Sequence, residues 1–176
     1  PIAKLINDNF GIESGVMTTV HSATATQNVV DSASSNNRRI SRGILNNIIP
    51  STTGAAKAVG RVVPELDGIL TGMAYRVPTS NVSVVDFSVN LKKSTTMNEI
   101  SSIILKASKD KYKGVIGFCD EDLVSTDFNG DTRTSIFDKN ASLQITPHFF
   151  KLVCWYDNET GYSHKLIEMA RHMFGR

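Results

Sequence analysis

Apolar positions along the chain switch between two periods, and the switches mark out the elements. Ile2, Leu5, Ile6 and Phe10 recur at helical spacing, and Gly11 supplies a stop. Around Val16 to His21 the period becomes two: Val16, Thr18 and Val20 share one face of a strand, and Met17, Thr19 and His21 share the other. Residues Ser22 to Ile49 hold no period and read as a long loop, which inside a compact domain is usually functional. Thr53 ahead of the Ala-rich run Gly54-Ala55-Ala56-Lys57-Ala58-Val59 predicts a helix N-terminus. Leu70 to Val77, ended by Pro78, and the alternation of Val85, Phe87, Val89 and Leu91 predict further strands. Thr96-Met97-Asn98-Glu99 is a capping-box sequence before Ile100, Ile103, Ile104 and Ala107 at helical spacing. Short strands are expected at Val115–Phe118, Leu123–Asp127 and Thr134–Phe137, and a strongly buried one at Phe149–Tyr156. A last helix starts near Gly161 with Leu166, Ile167, Ala170, Met173 and Phe174 on one side. Strands succeed one another more than they alternate with helices. The expected fold is therefore α+β, a mixed, largely antiparallel sheet with helices on one face.

The length of 176 residues suffices for one domain with a sizeable core, and a chain 40% hydrophobic and 20% charged falls in the soluble globular class. A formal net charge of +2 gives no electrostatic footprint for nucleic acid or an acidic membrane. No apolar run approaches a membrane span. Two cysteines, Cys119 and Cys154, make neither a disulfide framework nor a metal cluster, so a reducing, cytoplasmic setting is expected. The start, Pro1-Ile2-Ala3-Lys4-Leu5-Ile6, reads as the inside of a helix rather than a signal peptide or initiation site, giving the expectation of chain upstream.

Several positions carry chemistry. His21 ends a strand and leads into Ser22-Ala23-Thr24-Ala25-Thr26-Gln27; alone, such a histidine is more often structural than catalytic. Thr24 and Thr26, two apart, share a side in extended backbone, and hydroxyls beside a basic group suit a phosphate monoester. Thr53-Gly54 is either an ordinary cap or an anion site, since a helix start offers free N–H groups and glycine allows close approach. Arg76, in or at the end of an apolar strand, requires either a carboxylate partner or a bound anion. Asn158, after the Phe149–Tyr156 strand, is either a turn or capping residue or an amide presented to a ligand. Arg38, Arg39 and Arg42 form a small basic cluster beside serines and asparagines, without interleaved aromatics. Cys154 reads as a packed thiol, and Cys119, beside Asp120, Glu121 and Asp122, as a poor nucleophile. His148, His164 and His172 lack metal-ligand spacing, and Asp127-Phe128-Asn129-Gly130-Asp131 lacks EF-hand spacing.

The order and wording of these segments resemble, end to end, the catalytic domain of phosphorylating glyceraldehyde-3-phosphate dehydrogenase. The matching pieces include Thr18-Thr19-Val20-His21, Ala23-Thr24-Ala25-Thr26-Gln27, Thr53-Gly54-Ala55-Ala56-Lys57-Ala58-Val59-Gly60, Arg76-Val77-Pro78-Thr79, Asn81-Val82-Ser83-Val84-Val85-Asp86 and Trp155-Tyr156-Asp157-Asn158-Glu159. The resemblance implies that His21 is the base that activates a cysteine nucleophile. It implies that Thr24 and Arg76, with Thr26 nearby, bind the substrate's phosphate. Thr53 and Gly54 would bind the attacking inorganic phosphate, and Asn158 the carboxamide of NAD. The Ser22 to Ile49 loop, with Arg39 and Arg42, would line a neighbouring subunit's cofactor site in a homotetramer. The implied reactants are glyceraldehyde 3-phosphate, NAD and inorganic phosphate, with no nucleic-acid or membrane partner. Two family features are missing from these residues: the S-C-T-T-N-C motif, which would lie just three residues before Pro1, and the Gly-rich Rossmann half. The expectation is thus that residues 1–176 form the C-terminal catalytic domain, inactive alone, with a last helix that would pack on an absent NAD-binding domain. Alternatives are erythrose-4-phosphate dehydrogenase and a non-catalytic interaction module.

Overall fold

A computed structural model describes residues 1–33 and 37–175, so residues 34–36 of the long loop lie outside the described residues. The elements are α1 (Ile2–Phe10), β1 (Ile12–His21), β2 (Ile49–Thr52), α2 (Ala55–Val62), β3 (Leu70–Arg76), β4 (Ser83–Leu91), α3 (Met97–Lys109), β5 (Ile116–Cys119), β6 (Ser135–Gln144), β7 (Phe149–Tyr156) and α4 (Thr160–Met173). The strands form a seven-stranded sheet in the order β2-β3-β1-β4-β7-β6-β5. β1/β3 and β5/β6 are parallel, and the other four neighbouring pairs are antiparallel. The mixed, largely antiparallel α+β expectation holds.

Helices α1, α2 and α3 cover one face. Ile2, Ile6 and Phe10 of α1, Ala56 of α2 and Ile100 and Ile104 of α3 join Met17, Phe87, Val89, Phe150, Leu152 and Cys154 of the sheet in one buried cluster. On β1, Met17 and Thr19 are buried while Val16 and Val20 are exposed, as the period of two requires. The chain turns from α1 into β1 at Gly11, whose φ of 69° is a left-handed value that glycine takes without penalty. A smaller cluster on the other face joins Val82, Cys119, Phe128 and Ile136 with Trp155.

Some elements differ from expectation. The Leu123–Asp127 strand is instead a 3-10 turn at Ser125–Phe128, where Asp127 accepts a hydrogen bond from the Val124 N–H at 2.8 Å. A local side-chain acceptor competes here with a sheet ladder. The long loop closes at β2, a four-residue strand whose partner, β3, is supplied by tertiary pairing. β6 runs to Gln144 because a register shift between Asp138 and Leu143 lets pairing resume beyond it. Thr96 caps α3 by accepting from the Glu99 N–H, but Glu99 turns its carboxylate to the Thr95 hydroxyl. On α4, Leu166, Ile167, Met173 and Phe174 are all more than half exposed.

Candidate active site

His21 and Arg76 meet because β1 and β3 are parallel and in register, pairing His21 with Arg76 at a common strand end. Arg76 Nη1 lies 2.7 Å from His21 Nδ1 and donates to the Ser22 carbonyl at 3.3 Å. The same Nδ1 is 2.8 Å from that carbonyl. Burial lowers the His21 pKa, the Ser22 carbonyl opposes this by holding a ring proton, and the Arg76 cation lowers it again. The ring packs edge-on against Tyr156 at 6.1 Å between centroids. Burial raises the Tyr156 phenol above its ordinary range. Among the described residues no carboxylate pairs with Arg76, whose contacts are instead His21 and the Ser22 carbonyl.

His21 sits between two cavities. One, of about 530 Å³, is lined by His21 with Arg76, Thr53, Tyr156, Cys154 and Pro1 among others. The second, of about 420 Å³, is lined by His21 with Asn158, Arg133, Tyr156, Tyr162 and Lys165 among others. Thr53 Oγ1 accepts from the Ala55 N–H at 3.2 Å, at the start of α2. The space above Gly54 is open, since a side chain there would meet nothing within 4 Å. Gly54 occupies the cap position of α2 without a side-chain cap, and Thr53, just before it, accepts from the first N–H of the helix.

Thr24 and Thr26 do share a side, but through a turn rather than extended backbone. The Gln27 N–H donates to the Thr24 carbonyl, bringing the two hydroxyls to 3.1 Å. Neither lines the cavities with His21. Arg42 pairs with Asp31 at 2.9 Å on the exposed loop, which spends one cation of the basic cluster.

Asn158 Oδ1 accepts from the hydroxyls of Ser22 and Ser83, at 2.8 and 3.0 Å. Asp157, almost fully buried, accepts from the N–H groups of Gly130, Glu159 and Thr160 and from the Asn81 amide. Burial pushes this carboxyl up, but those four donors hold it below the ordinary range. Ser22, Ser83, Tyr156 and Asp157 also belong to this site, beyond the residues that the sequence pattern marks. Asp157, three residues before the α4 start, carried a capping signal; nothing local pairs residue 83 with residue 158.

Neither cysteine is an activated thiol. Cys154 is buried and its pKa is pushed up to about 12 by burial. Cys119 is raised first by burial and further by Asp138, Glu121 and Asp120. Among the described residues, no group of three His, Cys, Asp or Glu side chains forms a metal site, and no helix is long and apolar enough to cross a membrane.

A family model described as glyceraldehyde 3-phosphate dehydrogenase, C-terminal domain, matches residues 1–158. The chain is 57% identical over 173 residues to a glyceraldehyde-3-phosphate dehydrogenase of Shimwellia blattae, covering 98% of this chain and 52% of the relative. It is 56% identical, with the same coverage, to glyceraldehyde-3-phosphate dehydrogenase A of Escherichia coli K12 and to a glyceraldehyde-3-phosphate dehydrogenase of Salmonella typhimurium. The chain spans about half the length of the curated relatives it matches.

Proposed function

The chain belongs to the glyceraldehyde-3-phosphate dehydrogenase family, matching its C-terminal domain, and on that premise we propose that it carries the base and the phosphate-binding groups for oxidation of glyceraldehyde 3-phosphate. The products would be 1,3-bisphosphoglycerate and NADH. The observation that carries this reading is that His21, Arg76 and Thr53, just ahead of α2, line one cavity, with Arg76 touching His21.

Each group has a physical task. Arg76 offers a planar set of donors to a phosphate or phosphate ester without a competing carboxylate. The N–H groups opening α2 and the Thr53 hydroxyl bind a second anion. The Thr24 and Thr26 hydroxyls add neutral donors on the adjoining turn. His21, half-buried and kept largely neutral, takes a proton at Nε2 when Nδ1–H is held by the Ser22 carbonyl. Asn158 lines the second cavity and its oxygen already accepts from two hydroxyls, so it would offer its amide N–H₂ to the carboxamide of NAD. When bound, the nicotinamide supplies the hydride acceptor.

We place the rest of cofactor binding on a Rossmann domain outside residues 1–176, because no Gly-rich dinucleotide fingerprint occurs within them. The nucleophilic thiol is likewise placed outside them, so residues 1–176 alone should not turn over. A homotetramer in the cytoplasm, with the Ser22 to Ile49 loop at a neighbour's cofactor site, completes the reading.

The test is NADH formation by the complete protein containing these residues. Turnover should require both glyceraldehyde 3-phosphate and inorganic phosphate. Replacing His21 by Asn should lower kcat/KM by about 10²–10⁴-fold. Phosphate-independent oxidation of erythrose 4-phosphate would favour the sister enzyme instead. An unaffected His21→Asn variant would rule out the base assignment.

A further inference from the structure

Asn158 is fixed at its oxygen and open at its nitrogen. Its two hydroxyl partners are deeply enclosed, Ser22 being 0% and Ser83 1% exposed. The Ser22 N–H donates to Ser83 Oγ at 3.2 Å, so Ser83 already accepts there and has its own proton to give. Both serine protons then go to Asn158 Oδ1. Turning the amide over would place N–H₂ against the hydroxyls and leave two buried hydroxyl protons without that acceptor. The network therefore favours one orientation, with the Tyr156 phenol as the other group that the Ser83 hydroxyl meets. Among the described residues Asn158 Nδ2 reaches only the Glu159 carboxylate, at a long 3.3 Å, and is the group left to face the cavity shared with His21.

The backbone bearing Ser83 is itself tightly determined. Val82 has φ 64°, a left-handed value that a β-branched residue avoids. It is buried in the small cluster with Phe128, and Phe128 stacks on Trp155. On either side of it, Asn81 donates to Asp157 and Ser83 to Asn158, so alternate residues of one segment grip two consecutive residues of the other. Such a backbone persists where its surroundings over-determine it.

We propose that Ser22 and Ser83 are positioning residues that lock the Asn158 amide with Nδ2 outward, so that the site selects a ring bearing a carbonyl oxygen over one lacking it. This selectivity rests on the reading of Asn158 as a cofactor contact; the lock itself does not. Ser22 follows His21 directly, so one turn of chain sets both the base and the amide.

The lock is read without ligand, from the Asn158 side-chain amide resonances of the ¹⁵N-labelled chain. Ser22→Ala and Ser83→Ala should each shift these resonances and speed their proton exchange while distant backbone signals stay in place. Ser83→Thr, which keeps the hydroxyl, should restore them. Amide signals indifferent to both alanine variants overturn the lock. Selectivity is read in the complete protein from dissociation constants of two dinucleotides, one carrying 3-acetylpyridine and one 3-(aminomethyl)pyridine. The carbonyl form should bind about tenfold tighter, with the ratio falling toward one in the Ser22→Ala/Ser83→Ala variant. A ratio unchanged by the double substitution overturns the selectivity. A wild-type protein that binds neither dinucleotide overturns the selectivity together with the cofactor reading, whereas the amide spectrum still decides the lock.

Discussion

His21 Nδ1 stands between two neighbours that make opposite demands on it. The Ser22 carbonyl can only accept, and so favours a proton on Nδ1. The Arg76 guanidinium can only donate, and so favours a bare Nδ1. An anion drawing Arg76 away would resolve the conflict toward Nδ1–H and leave Nε2 free to take a proton. The ring's titration should register the balance. With burial as the leading cause and Arg76 adding to it, the folded midpoint lies below the ordinary value of about 6.5. The neutral ring's contribution to stability is thus complete above that pH and lost as pH falls through the lower folded midpoint. Replacing Arg76 by Gln should raise the midpoint without reaching the value of a free histidine, because burial remains. A ring-proton NMR titration checks this, and a midpoint that stays put in Arg76→Gln removes the guanidinium from the account.

The register that sets His21 beside Arg76 belongs to the parallel pair β1/β3, and its close point is Gly72. A side chain there would come within 2.8 Å of the Met17 carbonyl oxygen, a backbone atom of the neighbouring strand that cannot step aside. Gly72→Ala should therefore cost about 1–3 kcal/mol in denaturant unfolding. It should also weaken phosphate binding at the strand ends, since β3 must move from β1 to admit the methyl group. A variant of wild-type stability would show that the strands part freely, and that the register is set elsewhere. At the opposite side of the site, Asp157 ties the start of α4 to the Gly130 turn and to Asn81, so Asn158 is presented from a fixed helix start. Acid should loosen this joint. Asp157 is held below its ordinary pKa, so its contribution is present above that value and fades as pH falls through the depressed one.

Over the whole molecule, one helix-covered sheet face makes the core, and α4 stands apart from it with an apolar stripe in solvent. Tyr162, Leu166, Ile167, Met169, Met173 and Phe174 are each more than half exposed. An apolar surface of this kind promotes association. Ile167→Lys combined with Phe174→Ser should lower light scattering by the 176-residue chain and leave its thermal midpoint nearly unchanged, because neither side chain belongs to the core clusters. A large drop in midpoint would mean that the stripe is packed within the chain after all. The elements with strong periods were legible in advance: α1 through Ile2, Ile6 and Phe10, β4 through Val85 to Leu91, and β7 over its full extent. Where a short segment has no period of its own, as at β2 or Leu123–Asp127, the available partner decides between strand and turn, and that partner is far away in sequence. The same division holds in the site. Residue types and their order determined that His21, Arg76, Thr53-Gly54 and Asn158 could handle anions, protons and an amide ligand, because that chemistry resides in single side chains. Only tertiary structure decided that Arg76 touches His21 with no carboxylate partner among the described residues, and that Ser22 and Ser83 both donate to Asn158. Those facts depend on sheet register and on contacts 55, 136 and 75 residues apart, which no local pattern encodes.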